Sequence, residues 1–366
     1  MLNDRPPAVP TRSWANFFEG QPNVVPNPNP GQSCSFGFVA NTCATPNIWN
    51  GPLSWRNQYV QQYTAAFETQ LASRVSLDIT YLGTKTTHLQ TSLTVNDPPP
   101  GPGAVQARRP LPQWGVRTFD NNIGYANYNA LQVKLETRSW HNLTLLAAYA
   151  YSKCMDSSIS GTLYFYERQR AVCNYDFPQV FSPSFNYALP FGAGKAFLND
   201  GGWVNQVAGG WQVAGIWTLR SGAPFTPTIS NDEANTGVSS QWPLLIGKPK
   251  TVRSPDCWFY VQANKGCSTL SPGTAAAYAE PAQYTYGTPL RNTLRADDLN
   301  ELDFTLLKTF PIREAGTLEF RSEFFNMFNH PTFAAPSANI NSGSGGQVSA
   351  TLNSSREIQL AAKFTF

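Results

Sequence analysis

The most regular hydrophobic pattern in the chain is its last segment. Ile358, Leu360, Ala362, Phe364 and Phe366 fall on one face of an extended strand, and Glu357, Gln359, Lys363 and Thr365 fall on the other. A period of two marks a strand whose faces meet different surroundings. Earlier segments repeat it. Val75, Leu77, Ile79 and Tyr81 alternate with Ser76, Asp78 and Thr80, and Leu131, Val133 and Leu135 alternate with Gln132, Lys134 and Glu136. The same holds at 143–152, 184–191, 211–220, 302–306 and 318–324, and a weaker segment at 59–71 precedes them all, so nine strands are predicted.

The links between these strands also alternate. Short ones fall near 72–74, 140–142 and 313–316, long ones at 84–125, 154–177, 222–296 and 329–355, and 192–208 is intermediate. Short turns on one side and long loops on the other are the layout of an outer-membrane barrel, with periplasmic turns and extracellular loops. The fold class expected is all-β: an antiparallel transmembrane β-barrel, in an incomplete, C-terminal portion with long extracellular loops. Residues 1–56 show no periodicity, are rich in Pro, Asn and Gly, and read as an irregular extracellular region ahead of a barrel portion at 57–366. A soluble β-sandwich also alternates. Its loops rarely reach the length of 222–296, and it has no need of mid-strand charges such as Lys134, Glu136, Arg321 and Glu323.

Composition supports the same picture. Charged residues are 13% of the chain, about half the share usual in soluble domains, and aromatic residues are also 13%. Mean hydropathy is nevertheless −0.31, as expected of strands apolar on one face only. A net charge of +3 gives no case for nucleic acid. No run of 18 apolar residues occurs, so no membrane-spanning helix is predicted. The first residues, MLNDRPPAVPTRSW, lack the charged start and apolar core of a secretion signal.

Candidate chemistry is sparse. The six cysteines form three local pairs, Cys34 with Cys43, Cys154 with Cys173 and Cys257 with Cys267, each in or beside an expected outer loop. Disulfides are expected there, since that side is oxidising; free thiols are the alternative. No C-x₂-C occurs, and the three histidines, His88, His141 and His330, lie in separate regions. Asp297, Asp298, Glu301 and Asp303 could hold Ca²⁺, but read better as rim and lumen residues. The run Gly343–Gly346 lacks the Lys of a phosphate loop and reads as flexible loop. The segment 221–225 lacks the elbow of a hydrolase nucleophile. Aromatic residues gather at strand ends, among them Trp140, Trp203, Trp211, Tyr81 and Tyr151, and read as interfacial girdles, with a sugar-binding platform as the alternative. No catalytic, cofactor or metal site is expected.

Several strings resemble the Oar-like TonB-dependent receptors: DITYLGTKTTHL at 78–89, YNALQVKLE at 128–136, AYAYSKCMD at 148–156, FNYALPFGAGK at 185–195, GGWQVAGIWTLRSGAPFTP at 209–227, RSEFFNMFNHPTF at 321–333 and SREIQLAAKFTF at 355–366. They run in the family's order and end on Phe366. The resemblance implies uptake of a bulky nutrient across the bacterial outer membrane, energised through TonB. It implies outer-membrane lipid as surroundings. It also makes Ile358, Leu360, Phe364 and Phe366 an assembly signal for the barrel-assembly machinery. Family members also carry a signal peptide, a plug domain and about 22 strands. None of the upstream parts is visible here, so a fragment or split gene is implied, with TonB contacted only through missing parts. A non-transporting surface-interaction barrel or a small porin-like barrel is the second reading, and a soluble β-rich enzyme or lectin the third.

Overall fold

The computed structural model describes residues 48–50, 55–112, 115–157, 160–162, 170–199, 202–238, 241–289, 291–312 and 316–366. Nine long strands dominate it: β1 Tyr59–Ala72, β2 Val75–Thr94, β3 Arg117–Trp140, β4 Leu143–Ser157, β5 Gln179–Ala188, β6 Trp211–Arg220, β7 Leu299–Ile312, β8 Gly316–Phe325 and β9 Glu357–Thr365. Each pairs antiparallel with the next in chain order. Among the described residues no ladder joins β1 to β9, so the sheet is open.

Register places the predicted faces side by side. One row runs Phe67, Ile79, Val133, Tyr149, Phe181, Leu219 across β1 to β6. Another runs Phe185, Gly215, Phe304, Phe324, Ile358 across β5 to β9. One position off, the rows are polar: Glu68, Asp78, Lys134, Ala148, Ser182, and Asn186, Ala214, Thr305, Glu323, Gln359. Since side chains alternate, one face of the whole sheet is apolar and the other charged.

The tight links have local causes. His141 and Asn142 take φ of 49° and 66°, and two positive φ values are what a two-residue hairpin needs to match strand twist. Two glycines sit under aromatic rings of directly paired residues. A Cβ on Gly83 would collide with the Tyr63 ring, and one on Gly215 would meet Phe185 at 2.9 Å. Each ring covers backbone that a glycine leaves bare.

Several sequence expectations are corrected. β2 and β3 run to Thr94 and Arg117, so the link between them is 95–116 rather than 84–125. His88, at φ 59°, marks a register shift between Thr87 and Leu89, past which the ladder continues. The strand expected at 184–191 is Gln179–Ala188, because Pro190 has no N–H to extend the ladder. Of residues 1–56, only 48–50 and 55–56 are described; Ile48–Asn50 pairs parallel with Arg117–Phe119. No helix is long and apolar enough to cross a membrane, among the described residues.

The main buried apolar cluster does not lie in the nine-stranded sheet. Phe225, Ile229, Trp258, Phe259, Val261, Tyr278 and Leu294 form it with Cys257 and Cys267, and Phe333, Ala338 and Val348 pack against it. All of these belong to links 221–298 and 326–356, on the long-loop side. The two links fold together into a cap at one end of the sheet.

Candidate functional site

Two features carry functional chemistry: the charged face of the sheet and the cap. On the charged face, Lys134 pairs with Asp78 at 3.8 Å, and Arg138 with Glu136 at 2.7 Å. Arg321 stands between Glu319 at 2.9 Å and Glu323 at 3.6 Å on its own strand. Such pairs add little stability in water. Their significance is placement, since groups like these require a wet surface. The opposite face leaves Phe67, Tyr81, Leu131, Tyr151, Ile358 and Leu360 exposed. An apolar face of this extent is not stable against water, and lipid is the solvent that suits it.

Lys308 breaks the pattern and shows its logic. By register it lies on the apolar face, opposite Trp211 and Phe320. Its amine reaches the Gly209 carbonyl, 5.4 Å from the Trp211 ring centre and 4.8 Å from that of Phe310. Gly209 lies in the short-link end of the sheet, so the side chain carries its charge toward the interface. Sequence reading missed this residue; a lysine between Leu306 and Phe310 was the available signal.

The cap is knit from all four long links. Cys257 and Cys267 are disulfide-bonded, with Cα atoms 5.0 Å apart, beneath the short helix Lys265–Leu270. Asn264, 1% exposed, caps that helix through the Gly266 N–H, and its amide donates to the Asp256 and Gly345 carbonyls. The Gly343–Gly346 run expected to be flexible is therefore fastened to the cap, and Trp258 N–H donates to the Gly346 carbonyl at 2.7 Å. Arg291 pairs with Asp156 and Arg295 with Asp176, tying the cap to β4 and to link 158–178. A second disulfide, Cys154–Cys173, with Cα atoms 5.4 Å apart, closes that link at its base. Asn235 donates to the Gly101 and Gly103 carbonyls, both at 2.8 Å, and so reaches link 95–116. Within that link, Arg109 and Asp97 form a buried pair at 3.5 Å.

A cleft of about 370 Å³ opens on the cap, between 260–263, 276–280 and 340–341. Tyr260, Tyr278 and Ile340 line its inner part, and Gln262, Glu280 and Asn341 its rim. The Glu280 Oε1 accepts from Asn231 at 2.8 Å and from Asn341. Burial pushes the Tyr278 hydroxyl up to about 12.

The remaining sequence candidates are placed as follows. Cys34 and Cys43 lie outside the described residues. Ile358, Leu360 and Phe364 line the apolar face of edge strand β9, and Phe366 follows it, fully exposed. Asp298 N–H and Asp297 form a local bond, Asp297 also accepts from Phe333 N–H, and Glu301 from Asn353, so the acidic run braces the cap's root. No group of three or more His, Cys, Asp or Glu able to hold a metal occurs among the described residues.

An open antiparallel sheet with a charged face, an apolar face, short links at three of the four connections of one end and a folded cap at the other is part of an outer-membrane barrel. The chain belongs to the outer membrane beta barrel domain family, whose model matches residues 2–359. That membership places it in the bacterial outer membrane. Among solved structures, it is similar to the outer membrane transporter YddB from Escherichia coli, at 10% identity and a TM-score of 0.47, over 85% of this chain and 33% of that one. It is similar to the pyoverdine outer membrane receptor FpvA from Pseudomonas aeruginosa PAO1, at 10% identity and a TM-score of 0.41, over 84% of this chain and 30% of that one. It is also similar to the copper transporter OprC, at 7% identity and a TM-score of 0.35, over 86% of this chain and 33% of that one. The chain thus spans about a third of the length of these proteins. None of the curated proteins matches it in sequence.

Proposed function

We propose that residues 57–366 form the C-terminal part of the barrel wall of a TonB-dependent receptor, which takes up a bulky nutrient across the outer membrane. The observation that carries this reading is the pairing of a wet, charged face with a cap built on the long-loop side. The charged face lines a lumen, and the cap is the surface a solute meets first. The resemblance of 57–366 to the Oar-like receptors supports the same conclusion. Strand parity supports further strands elsewhere. β1 and β9 have odd places in the meander and run the same way, so antiparallel closure needs an odd number of added strands. A second copy would present its edge parallel. Barrel-assembly machinery would act on the β9 end, and TonB on parts beyond 57–366.

Epitope insertion tests the orientation. A tag at Gly273, on an open cap turn, is expected to bind antibody on intact cells, and one at Gly194, on the short-link side, only after lysis. The reverse pattern would refute the reading. Transport itself is tested by deleting the gene. Loss of growth on at least one scarce, large solute is expected, and an unchanged growth profile across a broad panel favours the non-transporting alternative.

A further inference from the structure

We infer that the cap cleft between Tyr260, Tyr278 and Glu280 is a binding site for one neutral, polyhydroxylated unit, that is, a sugar residue. The inference deepens the uptake reading, and rests on it only for the cleft's physiological role. Four observations lead there.

The volume, about 370 Å³, lies in the range of sites that enclose small molecules. The cleft is preorganised, because Val261 in its wall belongs to the same buried cluster as Phe259 and the disulfide-bonded Cys257 and Cys267. Its polar groups are planar amides and a carboxylate, set against tyrosine and aliphatic surface. That is the mixture a sugar offers in return, hydroxyls at its edge and C–H groups on its face. Two asparagines hold Glu280 Oε1, which fixes the carboxylate at the cleft rim.

Charge and hydrogen-bond demand narrow the class. No Lys or Arg lines the cleft and Glu280 does, so an anion is disfavoured. Tyr278 is 6% exposed, and its hydroxyl has no hydrogen-bond partner among the described residues. A buried hydroxyl left unpaired is costly, and a turn about the Tyr278 Cα–Cβ bond would bring it to the cleft surface, where a ligand hydroxyl can accept from it. Tyr278 and Glu280 stand two residues apart, and both line the cleft.

The test uses the full chain, refolded in a micelle of a phosphocholine detergent with both described disulfides intact. Saturation-transfer NMR is recorded with glucose, galactose and N-acetylglucosamine in turn, and with choline as a cationic probe. Transfer to at least one sugar is expected, unchanged by added salt. Glu280→Gln and Tyr278→Phe, which alter a rim residue and remove an unpartnered hydroxyl, are each expected to weaken it by about fivefold, the scale of one good hydrogen bond. With the cap shown to be folded by slow exchange of its Trp258 and Asn264 amides, the inference is overturned by no transfer from any of the three sugars, by transfer that neither variant changes, or by salt-sensitive transfer from choline alone. The micelle experiment does not depend on membrane orientation, so its failure is separable from failure of the epitope test.

Discussion

Leu135 and Gln132 stand three residues apart on β3, yet they meet opposite surroundings. Leu135 pairs with Leu77 and Ala147 on the apolar face; Gln132 pairs with Thr80 and Ala150 on the polar one. Five residues separate Leu135 from the turn-side end of the strand at Trp140. At about 3.4 Å per residue and a tilt near 40°, that puts it roughly 13 Å into the membrane, close to the midplane. Leu135→Arg is expected to cost about 2–4 kcal/mol in the lipid-assembled protein, and Gln132→Arg much less. Urea titration of the closed barrel that contains these strands, assembled in vesicles, measures both, and equal costs would reject the face assignment. Tyr278 yields a prediction in pH. Its hydroxyl titrates at about 12 in the folded cap against about 10 when unfolded. The folded state therefore favours the protonated form, and cap stability is complete below pH 10 and declines as pH rises toward 12. Hydrogen exchange of cap amides across that window should accelerate, and Tyr278→Phe should remove this part of the pH dependence.

At the scale of elements, the cap and the strands were not equally legible. All nine strands could be read from the period-two pattern, because lipid on one side and water on the other enforce strict alternation. The outer ends of β2 and β3 could not. Thr91, Ser92, Asp120 and Asn121 are polar on both faces, since above the membrane neither face needs to be apolar. The cap core was equally hidden. Its Trp258, Phe259, Tyr260 and Val261 form a short unbroken run, flanked by Cys257, that fits neither period. The local cysteine spacing was the readable trace of the cap, while the cleft depends on three segments meeting from 260, 278 and 341, which no local pattern announces. Replacing Cys257 and Cys267 by Ser is expected to destabilise the cap by roughly 3 kcal/mol, given the short loop they close. Exchange of cap amides should quicken while those of β3 and β4 hold. Uniform quickening of both would show that cap and sheet are one cooperative unit.

At the scale of the whole molecule, the open sheet sets the limits. Among the described residues, Glu357–Thr365 and Tyr59–Ala72 are edge strands, and each leaves a row of backbone groups without a ladder partner there. In hydrocarbon each such group costs several kcal/mol, so a stable wall must close. Nine strands running in one meander cannot do so in antiparallel fashion by joining their own ends. The most direct test is to fold the full chain alone into lipid vesicles, fuse them with a planar bilayer and record single-channel currents, with the heat-dependent shift of the protein on a gel read in parallel. The account predicts no uniform unit conductance and no heat-modifiable monomer band. A steady, reproducible unit conductance carried by such a monomer would contradict it, and would show that these strands close into a small pore of their own.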